Sequence, residues 1–198
     1  MNIPISESVW FEQVDTAFKK LIQSKVFIKN SEGVTLPVPV SIRKPDEDFK
    51  REQYPCITLY NLSAKRDNIR YFPDKLVISR NYEEGTLVEE DCAIPFKLKY
   101  QMDFWSTLQF QMNDMTRQWL GSFPNRDFNL SVIDMSGNSR DCFVLLSGDL
   151  QKSDLLDGDK RLYHSILTYD IQVEIDERMP VVVPMVGDID VDVSRTNK

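Results

Sequence analysis

The chain is poor in the residues that most often carry chemistry. It has a single histidine, His164, which argues against every mechanism that needs two imidazoles, including most zinc and non-haem iron sites. Its three cysteines, Cys56, Cys92 and Cys142, are far apart in sequence and form no CxxC pair. There is therefore no seed for a zinc site or a redox couple, and an odd count closes no disulfide framework. All three read as reduced, buried small hydrophobes of a protein made in a reducing compartment. The seven glycines are scattered, and none precedes a helix start with Lys-Ser or Lys-Thr, so a phosphate-binding loop is not encoded. No apolar run approaches the roughly 18 residues of a membrane span. The start, Met1 to Trp10, has neither a basic n-region nor an apolar run, so no secretory signal is expected.

What the chain does have is charge, unevenly placed. The 198 residues carry a net charge of −7, with residues 1–80 basic (13 Lys and Arg against 10 Asp and Glu) and residues 81–198 acidic (11 against 21). A reader of DNA sequence needs a basic face to neutralise phosphates, and the acidic larger part opposes that. The same surface suits a basic protein partner, or a conduit that must not hold nucleic acid.

Periodicity supplies the elements. Ser6 to Lys25 places Trp10, Val14, Ala17, Phe18, Leu21 and Ile22 on one helical face, with Ser6 or Ser8 as N-cap. Lys25 to Ile42, with Gly33, Pro37 and Pro39, suits a hairpin with an edge strand, and charged Arg43 to Gln53 reads as loop. Pro55 to Leu62 is a short apolar strand. Lys65 to Arg80 then carries five bases against two acids, and Glu83 to Asp91 carries five acids and no base. The pair reads as a solvated excursion or a projecting hairpin. In PFKLKYQMDFW from Pro95, strict alternation gives a strand with one buried face. Helical spacing follows over Thr107 to Leu120, capped by Ser106 or Thr107 and ended by Gly121 and Pro124. Phe128 to Asp134 and Cys142 to Leu150 flank a turn, an acidic loop holds Asp154, Asp157 and Asp159, and Lys160 to Asp176 alternates as one long central strand. Met179 to Lys198 reads as an extension able to pair in β fashion with a neighbour. The expected fold is thus α+β, a mostly antiparallel or mixed sheet with an N-terminal helix and a second helix at about 107–120. A single domain is expected over 1–178, followed by the 179–198 extension.

Searches for a catalytic or metal site fail in sequence. His164 falls on the polar face of a strand and no nucleophile elbow is present, against a serine triad. The Asp154 cluster lacks the ligand spacing of a calcium loop, and Asp188, Asp190 and Asp192 fit charges that guard a strand edge better than a metal site. Tyr100, Phe104 and Trp105 fit a core better than a base-stacking platform. No catalytic, metal-binding or cofactor-binding residue and no cofactor is expected.

The layout as a whole resembles a known family. An amphipathic N-terminal helix, the strand PCITLYNL, a charged excursion, the strand PFKLKYQMDFW running into the helix Thr107 to Leu120, and a long late strand together look like the tail terminator (tail completion) proteins of tailed bacteriophages. The pattern covers roughly residues 54–120, with support from Lys160 to Asp176. The Pro-rich Val34 to Ile42 and the stretch after Met179 fall outside it. The resemblance implies a structural virion protein with no catalytic residues. Six copies would form a ring on the last tail-tube ring, stop tube growth and meet the neck or connector protein, with the sheath protein as a further contact. DNA would pass through the lumen unread, and the protein would sit in the virion with no membrane partner.

A head-to-tail ring needs two unlike, complementary patches on each subunit. The basic and acidic stretches are the candidates, and the interface residues expected are Lys65, Arg66, Arg70, Arg80, Glu83, Glu84, Glu89 and Glu90. Other readings are a neck connector, stopper or baseplate protein, a binding module unrelated to phage, and an acid-only metal-dependent enzyme using Asp103, Asp170 or the Asp188 series.

Overall fold

In a computed structural model of the chain, the residues described are 11–29, 32–42, 54–69, 75–91, 93–134, 137–157, 160–175 and 181–184. The fold is α+β: two helices cover one face of a seven-stranded mixed sheet. Helix α1 spans Phe11–Lys25 and buries Val14, Phe18 and Ile22, one residue per turn, with Glu12 in its first turn and Lys25 in its last, both favourable to the helix dipole. The expected caps Ser6 and Ser8 lie outside the described residues. Helix α2 spans Gln109–Ser122 and buries Met112, Met115, Thr116 and Trp119. It begins later than its spacing suggests. Neither Ser106 nor Thr107 caps it: the N-cap is Leu108, with no side-chain cap hydrogen bond, and the Ser106 Oγ instead accepts from the Leu108 amide at 3.0 Å in the turn before the helix.

The strands, in chain order, are β1 (Phe27–Lys29), β2 (Thr35–Pro37), β3 (Val40–Ser41), β4 (Cys56–Arg66), β5 (Lys75–Asn81), β6 (Thr86–Asp91), β7 (Ile94–Ser106), β8 (Asp127–Ile133), β9 (Ser139–Leu146), β10 (Gln151–Asp157), β11 (Lys160–Ile175) and β12 (Val181–Pro184). β1 and β2 form the expected hairpin. The large sheet runs β3-β4-β7-β11-β9-β8, with β10 also paired to β11. Every pairing in it is antiparallel except β3–β4. β11 is central, as its length suggests. The acidic stretch read as a loop is instead largely strand: Gln151–Asp157 zips onto Lys160–Ile166, because the Leu155-Leu156 pair and the close return of the chain outweigh the turn-like aspartates. β8 and β9 start three residues or less from their expected positions and enclose the expected turn, with Gly137 at φ 84°. β5, β6 and β12 form a separate three-stranded sheet.

Alternation along β4, β7 and β11 sorts the large sheet into two faces. Ile57, Leu59, Leu98, Tyr100, Met102, Phe104, Leu167, Tyr169 and Ile171 are buried under the helices. Phe18 sits at the centre, with its ring 5.9 Å from Tyr100, 6.0 Å from Trp119 and 5.8 Å from Tyr169. The Trp119 indole N–H donates to the Tyr169 hydroxyl at 2.6 Å, so the core's largest residue buries no unsatisfied donor. Cys142 is buried in this core, and Cys56 is buried on the other face, as expected; Cys92 lies outside the described residues. Among the described residues no helix is long and apolar enough to cross a membrane.

Candidate functional site: two charged surfaces and a buried polar row

The first charged surface is a sheet edge. β3 pairs with β4 only at Ile57 and Thr58, so beyond Thr58 no described strand lies against the outer edge of β4. Asn61, Leu62, Ala64, Lys65 and Arg66 along that edge are exposed, Leu62 at 44%. β4 is therefore longer than the sequence suggests, and Lys65 and Arg66 belong to a strand rather than to an excursion. Cross-strand pairing to β7 rather than local composition decides this. A bulge between Asn61 and Ser63 leaves Leu62 without a counterpart on β7. Lys65 lies directly opposite Lys97, and Ser63 opposite Lys99, which puts three lysines on the face away from the helices. Like charges in opposed positions repel. The Lys97 ammonium, 3.0 Å from the Asp170 carboxylate on β11, relieves part of that repulsion.

The second surface is the β5–β6 hairpin. Its turn is built by Asn81, whose Oδ1 accepts from the amides of Glu83 (3.1 Å) and Glu84 (3.3 Å), and by Gly85 at φ 57°. Arg80, Glu83 and Glu84 are exposed at this tip, and Glu89 and Glu90 lie lower on β6, opposite Val77 and Leu76. β12 runs along β6 toward the tip, Val181 opposite Glu89 and Pro184 opposite Thr86. Among the described residues β5, β6 and β12 pair with one another and run alongside none of the other strands or helices, so the hairpin is an arm beside the large sheet. The candidate residues thus fall in two places: Lys65 and Arg66 on the sheet edge, and Arg80, Glu83, Glu84, Glu89 and Glu90 on the arm. Arg70 lies outside the described residues.

The third feature was not singled out in the sequence. On the face away from the helices, Cys56, Trp105 and His164 stand abreast on β4, β7 and β11, with Thr58 and Asp103 in the next row of that face. All five are buried, Asp103 at 2% exposure. The imidazole stacks on Trp105 with centroids 3.7 Å apart and planes 8° from parallel. Its Nδ1 is 3.1 Å from the Ser153 hydroxyl and its Nε2 is 3.5 Å from Asp103 Oδ1, without hydrogen-bond geometry. Trp105 donates to Thr58 at 3.0 Å, and Gln101 to Asp103 at 2.8 Å. The neighbouring Tyr60 phenol is pushed up to about 12 by burial first and the Asp103 carboxylate second.

A serine, a histidine and an aspartate from three strands are thereby brought into line by strand pairing alone. Ser153 lies within the β10–β11 strand pair, directly opposite His164, and the imidazole is clamped against an indole. The row acts as a polar lock between three strands. Asp103 and Asp170 lie four rows apart along neighbouring strands, about 13 Å, too far to share one metal ion. No group of three potential metal ligands occurs among the described residues.

A groove of about 570 Å³ separates β1 from α2, walled by Phe27, Phe110 and Met115, with Lys29 and Asp114 at its rim. Gln118 closes its floor by accepting from the Phe27 amide at 2.9 Å and donating to the Phe27 carbonyl at 3.1 Å. Compared with models of known protein families and with curated protein sequences, the chain matches none.

Proposed function

We propose that the chain is a structural subunit of a tailed bacteriophage that caps the tail tube as a ring and joins it to the neck. One observation carries this reading. A basic sheet edge (Lys65, Arg66) and an acidic arm tip (Glu83, Glu84) occupy separate elements of one subunit. Head-to-tail closure requires two unlike patches of this kind, whereas a two-fold dimer requires a single self-complementary one. The likeness in layout to tail terminators supplies the tube and the neck as the flanking partners. It also implies a lumen through which DNA moves, where the acidic surplus after residue 80 would keep DNA from adhering.

Charge reversal tests the reading. Lys65→Glu with Arg66→Glu, and separately Glu83→Lys with Glu84→Lys, should each abolish six-fold rings in negative-stain images of the concentrated chain mixed with tail tubes. All four changes in one chain should restore them. Rings that survive both single-patch reversals would refute the assignment of the patches.

A further inference from the structure

We infer that the outer edge of β8, together with the groove between it and α1, takes up an extended segment of a partner protein as an added strand. The hydrogen-bond pattern shows which backbone groups are available. The Leu146 amide donates to the Arg126 carbonyl at 2.9 Å and the Asp134 amide to the Asn138 carbonyl at 2.9 Å, at the two ends of the β8–β9 register. Antiparallel strands bond at every second residue, so Phe128, Leu130 and Val132 bond to β9, and the N–H and C=O groups of Asn129, Ser131 and Ile133 point outward. β8 ends the sheet order, and no described strand pairs with that side. The edge also lacks the usual guards against pairing: DFNLSVI holds no lysine, proline or bulge, its one charge is Asp127 at the first position, and Ile133 is 60% exposed.

Beside this edge runs a groove of about 420 Å³, with Ala17, Lys20 and Leu21 of α1 on one side and Leu130 and Ile133 of β8 on the other. A strand laid along Asn129 to Ile133, about 17 Å, bonds to the outward groups and sends alternate side chains to opposite faces. Those opposite Leu130 and Val132 enter the groove against Ala17 and Leu21. Those opposite Asn129, Ser131 and Ile133 stand on the face away from the helices.

Charge selects the occupant. Lys20 is the one charged side chain among the residues that line the groove, and it is exposed. The fitting segment therefore carries apolar residues at its groove-facing positions, with an aspartate or glutamate at one of them to meet the ammonium. A second copy fits worse: its β8, paired about a two-fold axis, would bring its own α1 and a second Lys20 to the same groove, where like charges repel. The site lies toward the opposite end of the sheet order from Lys65 and Arg66 on β4, so it stands independently of the ring reading.

Random octapeptides displayed on filamentous phage and selected on the full-length chain test it. The selected peptides should alternate apolar and polar residues, with a carboxylate within the apolar set. A synthetic copy of one should slow amide hydrogen exchange at Asn129, Ser131 and Ile133, which exchange fast in the free chain, while Leu130 and Val132 stay slow throughout. Lys20→Glu should weaken that peptide about fivefold, the upper range for one exposed ion pair. Ser131→Pro removes an outward N–H and no bond to β9, and should abolish binding; Ala17→Phe, which fills the groove from the helix and leaves the strand untouched, should do so even if the proline variant fails to fold. Peptides without alternation, peptides that bind the Lys20→Glu and Ala17→Phe chains as well as the parent, protection elsewhere than on β8, or no enrichment above the Ala17→Phe chain would each overturn the inference. A dimer in sedimentation that Ala17→Phe abolishes would overturn it as well, by giving the edge to a second copy.

Discussion

The hydroxyl of Tyr100, at the middle of β7, donates to the carboxylate of Asp15 on α1 at 2.6 Å, tying the helix to the centre of the sheet. Tyr100 is fully buried and Asp15 half-buried. Tyr100→Phe should cost about 1–2 kcal/mol, because it leaves the carboxylate without its buried donor. A urea-unfolding midpoint shift checks this.

The same pair sets a pH dependence. Burial raises the Asp15 carboxyl above its ordinary value, the Tyr100 bond opposes the rise, and Glu12 adds to it. A carboxyl raised in the folded state lends stability that is present below its unfolded value and lost as pH rises through its folded value. The parent chain should therefore compare best with Asp15→Asn near pH 3.5 and lose ground as pH rises to 7. Paired unfolding curves read the difference, and a difference that moves the other way would contradict the assignment.

Phe18 and Trp119 meet in the core with Tyr169 and Phe128. Phe18→Ala opens a cavity under the sheet and should cost about 3–5 kcal/mol. At about 2–4 °C per kcal/mol for a chain of this size, the melting temperature should fall by roughly 10 °C. Calorimetry measures it.

The Cys56 thiol, packed with Trp105 and Leu162, is pushed up to about 12 by burial. At pH 8 it should stay protonated and resist a thiol-exchange reagent in the native chain, then react once urea unfolds it. Mass mapping of the labelled cysteine distinguishes it from the others.

The arm should unfold separately from the core. Gly85 at φ 57° has open space around it, so Gly85→Val costs backbone strain alone, about 1 kcal/mol. Because the arm strands pair with one another and not with the large sheet, the global melting temperature should stay put while ring formation weakens. Hydrogen exchange at Arg80 to Leu87 should quicken in the variant.

Local pattern made much of this fold legible. Alternation in β7 and β11, and the one-per-turn burial of Val14, Phe18 and Ile22, announce a half-buried sheet under helices. The pattern failed where distant partners decide. Lys65 and Arg66 look like loop residues but are held in β4 by Phe96 and Lys97, and Asp154 looks like a turn residue but faces Tyr163 across the sheet. The charged residues were visible as runs, yet their division between an edge and an arm depends on where β4 ends and β5 begins. The Ser153, His164 and Asp103 row was invisible, because its members come from three strands and no periodicity links them.

The central claim is that this chain ends a tail tube. The direct measurement is electron microscopy of tube subunits polymerising with and without the chain. A six-fold ring at one end of each tube, and tubes that stop elongating from that end, are predicted. Tubes that grow unchanged, with the chain unbound at every ratio, would contradict it.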